Sequence, residues 1–222
     1  MDIFLQQIIN GLTLGSVYAL VALGYTIVYG IIGLINFAHG EVVMIGAMVA
    51  LTVIQALAGA PAGLPGGVII LAGVAVAIPA CMAVGYSMER IAYRPLRKAP
   101  RLAPLITAIG VSIVLQNVAL LIWGRNYKTF PALLKVTPYT IGGATITDLQ
   151  IFIVVIAMLI MAGLLLLVHK TRLGTAMRAT AQNQTVAGLM GININIVISV
   201  AFLIGSALAA VAGCPSPCVL TG

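Results

Sequence analysis

Apolar stretches of about 20 residues recur along this chain, and this is the length that a helix needs to cross a lipid bilayer. They are too long and too uniform for the short alternating strands of an outer-membrane barrel. Charged residues make up 7% of the sequence, whereas a soluble domain carries about 25%, so the chain cannot build a water-facing surface. We therefore expect an all-α, polytopic bundle of membrane-spanning helices.

Polar connectors and Gly- and Pro-rich connectors divide the apolar sequence into about six predicted spans. Most basic residues lie in two connectors, 89–101 and 169–193, which the positive-inside rule places in the cytoplasm. The amino terminus is then expected outside, and the break between the first two spans on the cytoplasmic half. The net charge of +7 does not indicate nucleic-acid binding, because the basic residues lie in short connectors, where they orient the helices. The predicted spans cover approximately residues 8–34, 42–58, 68–88, 102–122, 151–168 and 194–213.

The connector between the first two spans contains Asn36, His39 and Glu41 together with Gly40. Histidine and glutamate are costly in hydrocarbon unless they face protein or water, and glycine can interrupt a helix. The segment is therefore either a turn at the membrane surface that caps two helices, or a discontinuous helix that lines a path through the membrane. Both interpretations stay open, and Asn36, His39 and Glu41 are candidate residues of a translocation path.

A second group of polar side chains lies on the fourth predicted span, where Thr107, Gln116 and Asn117 accompany Ser112. Ser112 and Gln116 are four residues apart and share a helix face, while Thr107 and Asn117 lie on a related face. Such side chains are expected to point into the bundle, either as hydrogen-bonded helix contacts or as part of a path lining. Thr107, Gln116 and Asn117 are the further path candidates.

Small residues at four-residue spacing occur in the first and the last predicted spans. This spacing allows the backbone of a neighbouring helix to approach closely, and it predicts helix packing along both edges. The residues concerned are Gly11, Gly15, Ala19, Gly205, Ala209 and Gly213.

The second cytoplasmic connector contains a similar pattern. After Arg178, the residues Ala179, Asn183, Ala187 and Gly191 follow one another at four-residue intervals. They predict a short cytoplasmic helix with a narrow edge of small residues. Either this edge fits a groove on a soluble partner, or it packs against other helices of the chain.

The opening of the chain carries the most specific pattern. It reads GLTLGSVYAL over 11–20, GYT over 24–26 and YGIIGLINFAHGE over 29–41. These segments closely resemble the membrane permeases of bacterial branched-chain amino acid ABC importers of the Liv type. The later connector, with Arg178, Ala179, Asn183, Ala187 and Gly191, looks like the cytoplasmic segment that couples this family to its ATPases. The resemblance extends over approximately residues 8–213.

The resemblance implies a subunit that moves branched-chain, hydrophobic amino acids across the bacterial inner membrane. It would pair side by side with a second permease subunit in the lipid. Two cytoplasmic ATPases would drive the pair, and a periplasmic binding protein would deliver the substrate. The chain has no Gly-x-x-x-x-Gly-Lys-Ser/Thr phosphate loop, so we expect ATP on the partner subunits and no cofactor in this chain. Neither an enzymatic motif nor a metal-ligand spacing competes with this interpretation.

The chain departs from the family pattern at two places. Gln182 and Gln184 occupy the coupling segment, where family members often have an acidic residue, so no ion pair with the ATPase is expected there. The family usually continues through further spans, whereas here Pro215 and Pro217 follow Gly213 and cannot extend a helix. We therefore expect an incomplete permease domain over 1–213 and a short non-family tail over 214–222.

Three alternatives stay open. A permease for urea or short amides belongs to the same family, and nothing in the sequence recognises an amino-acid carboxylate. An ion-coupled secondary transporter would need acidic residues at membrane depth, where Glu41 alone can be placed. The third alternative is an inactive, shortened remnant with no transport role.

Overall fold

The computed structural model describes residues 2–33, 35–59, 65–97, 99–100, 102–126, 138–141 and 144–214. The α-helices are α1 (Asp2–Ile32), α2 (His39–Ala58), α3 (Gly66–Met88), α4 (Leu102–Trp123), α5 (Asp148–Lys170), α6 (Arg172–Gln182), α7 (Gln184–Leu189) and α8 (Ile194–Gly213). A π-helical turn (Glu89–Tyr93) continues α3, and strands β1 (Pro138–Ile141) and β2 (Ala144–Thr147) form a hairpin. Of the predicted tail 214–222, all residues after Cys214 lie outside the described residues, so the proposed domain boundary stays a prediction.

Six of the described helices are long and apolar enough to cross a membrane, which confirms the all-α, polytopic fold. They are α1, α2, α3, α4, α5 and α8. Their bounds differ from the predicted spans at two starts, because α1 begins at Asp2 and not near Ile8, and α2 begins at His39 and not after Glu41. His39 and Glu41 therefore lie in the first turn of a spanning helix, and only Asn36 lies in the connector.

Helix α8 forms the centre of the bundle and packs against α1, α2 and α3. Its small residues make room for these neighbours. A Cβ atom added to Gly205 would lie 3.0 Å from the carbonyl oxygen of Gly24 on α1. One added to Gly213 would lie 2.5 Å from the carbonyl oxygen of Val43 on α2, and Ala209 is fully buried. The small residues of α8 thus lie where the helix backbones approach most closely.

The small residues of α1 face away from the other described helices, so helix packing along this edge stays a prediction. A Cβ atom added to Gly11 or Gly15 would meet no atom within 4 Å, and Ala19 is exposed. The packing within this chain uses the opposite face of α1, where larger side chains fill the bundle. The buried positions of that face are Thr13, Val17, Leu20, Gly24 and Val28.

The predicted loop between α4 and α5 contains the antiparallel hairpin of β1 and β2, which pairs Pro138 with Thr147. Two runs rich in Thr and Ile flank a Gly-Gly pair at 142–143, which is a hairpin signal that the sequence interpretation missed. The hairpin also holds the start of α1, because Gln6 accepts a hydrogen bond from the backbone N–H of Thr145 at 2.8 Å and donates one to its carbonyl oxygen.

The predicted single helix over 179–191 is wrong. The chain is extended at Asn183, which ends α6, and the Asn183 side chain accepts hydrogen bonds from the backbone N–H groups of Thr185 and Val186 and so begins α7. An asparagine that bonds to the following backbone competes with a continuous helix. Gly191 lies beyond α7 in a left-handed turn (φ 84°), so the four small residues do not form one helix edge.

Candidate functional site

The break between α1 and α2 is built around the Asn36 side chain. Its Oδ1 atom accepts hydrogen bonds from the backbone N–H of Ala38 at 3.1 Å and from the hydroxyl of Tyr93 at 2.7 Å. The carbonyl oxygen of Asn36 also accepts from the backbone N–H of His39. Asn36 is buried, so these bonds satisfy polar groups that water does not reach. They connect the break to the π turn after α3.

His39 shows how deep the break lies. Its side chain is 3% exposed and its ring makes an edge contact with Tyr25 of α1, with 6.0 Å between ring centroids. A Cβ atom added to Gly24 would lie 3.0 Å both from Nε2 of His39 and from the carbonyl oxygen of Gly205. Because Gly24 and Gly205 are interior residues of α1 and α8, helix α2 begins inside the bundle. The turn that caps two helices and the path lining both stay predictions.

Glu41 joins the first turn of α2 to the middle of α4. Its Oε1 atom accepts hydrogen bonds from Ser112 Oγ at 3.0 Å and from Gln116 Nε2 at 2.6 Å. The side chain is partly exposed, and Oε2 has no hydrogen bond among the described residues. An acidic residue in the first helical turn is also stabilised by the helix dipole. The structure thus brings together Glu41 and Gln116, two candidates from different spans.

The other two candidates on α4 do not join this cluster. Thr107 donates to the carbonyl oxygen of Ala103 at 2.9 Å, and Asn117 donates to that of Ile113 at 2.8 Å. Both bonds lie within α4, and Asn117 is exposed. The polar side of the fourth span therefore does not point into the bundle as a whole, because only the Ser112–Gln116 face meets α2.

An ion pair at the end of α3 was missed by the sequence interpretation, which placed Glu89 at a span end. Glu89 is 1% exposed and pairs with the Arg97 guanidinium, while its second oxygen accepts from Ser199 Oγ at 2.8 Å. The pKa of the Arg97 guanidinium is lowered overall. Burial has the largest effect and lowers it, while the adjacent Glu89 carboxylate raises it and offsets part of this shift. The sequence did offer a signal for this pair, because Glu89 is the one acidic residue in the basic connector 89–101 and lies at the end of a span.

The connector between α5 and α8 holds an exposed apolar tip on a fixed base. Gln184 at the start of α7 donates to the carbonyl oxygen of Ile31, the last turn of α1, and Ala187 is buried. At the other end of α7, Leu189 is 84% and Met190 79% exposed. Arg178 on α6 is exposed as well, and Ala179 is half-buried. The segment therefore presents apolar side chains outward at the end of the bundle where α1 ends.

Residues 7–220 match the protein family described as the branched-chain amino acid transport system permease component. The chain belongs to this family. It is 50% identical over 214 residues to the high-affinity branched-chain amino acid transport system permease protein BraD of Pseudomonas aeruginosa, covering 94% of this chain and 69% of that protein. To the corresponding protein LivH of Escherichia coli it is 47% identical over 216 residues, covering 95% and 69%.

A more distant member is the probable branched-chain amino acid transport permease protein LivH of Methanocaldococcus jannaschii, at 28% identity over 96% of this chain and 66% of that protein. No solved structure matches the chain. The family resemblance seen in the opening segments is thereby confirmed. Together with the six apolar helices, it makes this permease a multi-pass membrane protein.

Proposed function

We propose that this permease is one of two membrane subunits of an ATP-driven importer that carries branched-chain amino acids inward across the bacterial inner membrane. The observation that carries the proposal is the near-complete match of the chain to two permeases named for the high-affinity transport of these amino acids. The family is one of transport permeases, so we propose no enzymatic activity for this chain.

The translocation path would run past the break between α1 and α2. Asn36 and His39 place buried polar groups at the break and Glu41 adds a partly buried carboxylate, and such groups in membrane proteins commonly mark substrate pathways. A branched-chain amino acid carries an ammonium and a carboxylate group beside its apolar side chain. Oε2 of Glu41, which has no hydrogen bond among the described residues, would accept one from that ammonium, while Gln116 and Ser112 hold Oε1 in place.

Energy would come from partner subunits. Two cytoplasmic ATPases would bind ATP and dock on α6 and α7, with the exposed Leu189 and Met190 entering an apolar groove on their surface. A soluble periplasmic protein would deliver the substrate on the opposite side. A second permease subunit would pair with this one within the lipid. Closing of the ATPases would then move α6 and α7 and open the path alternately to the two sides.

The proposal is tested by reconstituting the permease with its second subunit, the ATPases and the binding protein in proteoliposomes. Uptake of labelled leucine should require ATP, and labelled urea should not enter. Urea uptake without leucine uptake would instead support the amide permease, and leucine uptake driven by an ion gradient without ATP would support a secondary transporter. A fully assembled complex that moves neither substrate would contradict the transport proposal.

A further inference from the structure

The π turn after α3 carries a network of polar contacts that neither the path nor the docking surface explains. Glu89 is the only acidic residue that is buried in the described part of the chain. Both of its carboxylate oxygens have partners, namely Arg97 and Ser199. A buried ion pair has a high desolvation cost, and removing one partner leaves an uncompensated charge, so its geometry resists displacement.

On one side the network holds the beginning of α8. Arg97 donates through Nη1 to Oδ1 of Asn195, and Ser199 lies one turn further along the same helix. Helix α8 begins directly after Asn193, whose side chain caps it, and the left-handed Gly191 separates this cap from α7. Only the turn around Gly191 and the Asn193 cap therefore separate α7 from the turn of α8 that Arg97 and Glu89 hold.

On the other side the network reaches the break between α1 and α2. Tyr93, the last residue of the π turn, donates its hydroxyl to Oδ1 of Asn36 at 2.7 Å. Its ring also packs against Phe202 of α8, with 5.3 Å between centroids. Asn36 in turn fixes the turn that leads into His39. The π turn is thus the element that contacts both the start of α8 and the start of α2.

We infer that Glu89, Arg97 and Tyr93 are positioning residues that transmit the movement of α6 and α7 to the break between α1 and α2. The inference rests on the proposed function, because it requires an ATPase that moves α6 and α7. Its physical basis is contiguity. Hydrogen bonds and an ion pair join Asn195 and Ser199 to Glu89, the backbone of the π turn joins Glu89 to Tyr93, and a hydrogen bond joins Tyr93 to Asn36. None of the three residues needs to contact the substrate.

The test uses the reconstituted complex and measures leucine molecules imported per ATP hydrolysed. Tyr93→Phe keeps the ring on Phe202 but removes the bond to Asn36, and Asn195→Ala removes one bond to Arg97 while leaving the ion pair. Each loss of a hydrogen bond should lower the import-to-hydrolysis ratio by about fivefold. ATP hydrolysis itself should be unchanged. The effect of the double variant should be smaller than the product of the two single effects, because both bonds belong to the same linkage, in which Asn195→Ala leaves the Ser199–Glu89 bond in place.

Arg90→Ala is the matched control, since Arg90 is an exposed cation of the same π turn whose side chain donates only to Tyr86 among the described residues. It should leave the ratio unchanged. If the wild-type complex imports leucine but both variants keep its ratio, the inference is overturned and the proposed function stands. Independent, multiplying effects would also overturn it, as would a parallel loss of assembly in both variants. A wild-type complex without leucine uptake would instead refute the proposed function.

Discussion

Glu41 is the residue on which the path proposal makes its sharpest chemical claim. In Glu41→Gln the side chain keeps an oxygen that can accept from Ser112, but it loses the charge that would bind the substrate ammonium. Hydrogen bonds to charged groups contribute about 1.5–3 kcal/mol, so leucine uptake should fall by about tenfold or more. The measurement is initial uptake at fixed binding-protein concentration. Unchanged uptake with unchanged assembly would remove Glu41 from the path.

Gln116 and Asn117 form a pair in which one amide is expected to matter and its neighbour is not. Gln116→Leu removes a 2.6 Å hydrogen bond to Glu41, whereas Asn117→Leu removes only a bond within α4. We expect Gln116→Leu to lower leucine uptake severalfold and Asn117→Leu to leave it near the wild-type value. Equal effects of the two substitutions would mean that the Glu41–Gln116 contact has no special role.

At the scale of single residues, sequence reasoning could identify polar groups but not their partners. Asn36, His39 and Glu41 stand out because hydrocarbon tolerates such side chains poorly. The depth of His39 in the bundle depends on Gly24 and Gly205. These glycines are far apart in the sequence, and they bring α1 and α8 close together around His39. Glu89 lies near basic residues in the sequence, and only the path of the chain through the π turn shows that Arg97 folds back onto it.

Among the helices, the contact between α1 and α8 provides a test of the packing. Gly205→Ala would place a methyl group 3.0 Å from the carbonyl oxygen of Gly24. Overpacking of this kind costs about 1–3 kcal/mol, so the thermal unfolding temperature of the permease in detergent should fall. Gly11→Ala is the control, because nothing lies within 4 Å of that position. It should not destabilise the protein, and the opposite order would show that α1 packs through its small-residue edge.

Substitution of the exposed residue Leu189 at the end of α7 tests the proposed docking of the ATPase. Leu189 is 84% exposed, so Leu189→Asp should not disturb the fold, but it would place a charge in an apolar contact with the ATPase. Copurification of the ATPase should drop strongly, while Leu189→Met should retain it because its side chain is similarly large and apolar. Full ATPase recovery with Leu189→Asp would show that the tip is not part of the docking surface.

The helices and strands could be predicted from the sequence to different degrees. The spanning helices follow from apolar length, because a bilayer requires helices of that size. The break between α6 and α7 at Asn183 was not predicted, since regular spacing of small residues says nothing about a side chain that caps the next helix. The hairpin between α4 and α5 was not predicted, because its strands are only 4 residues long and lie in a connector between two membrane-length apolar segments.

At the scale of the whole molecule, the two regions for which we propose a path and a docking surface lie at different depths of the bundle. The break at Asn36–Glu41 lies inside it, beside interior residues of α1 and α8, whereas α6 and α7 lie at the end where α1 terminates. The π turn contacts the break through Tyr93, and Arg97, four residues after this turn, contacts the start of α8, which follows α7 in the chain. Under the proposed function, this arrangement would allow an ATPase outside the membrane to act on a path within it.

The orientation of the bundle is the central claim, because the ATPases can act only if α7 faces the cytoplasm. It is measured by single-cysteine labelling in sealed vesicles, with native cysteines replaced by alanine. A cysteine at Leu189 should react with a membrane-impermeant reagent only from the cytoplasmic side, and one at Arg125, just after α4, only from the opposite side. The reverse pattern would contradict the account.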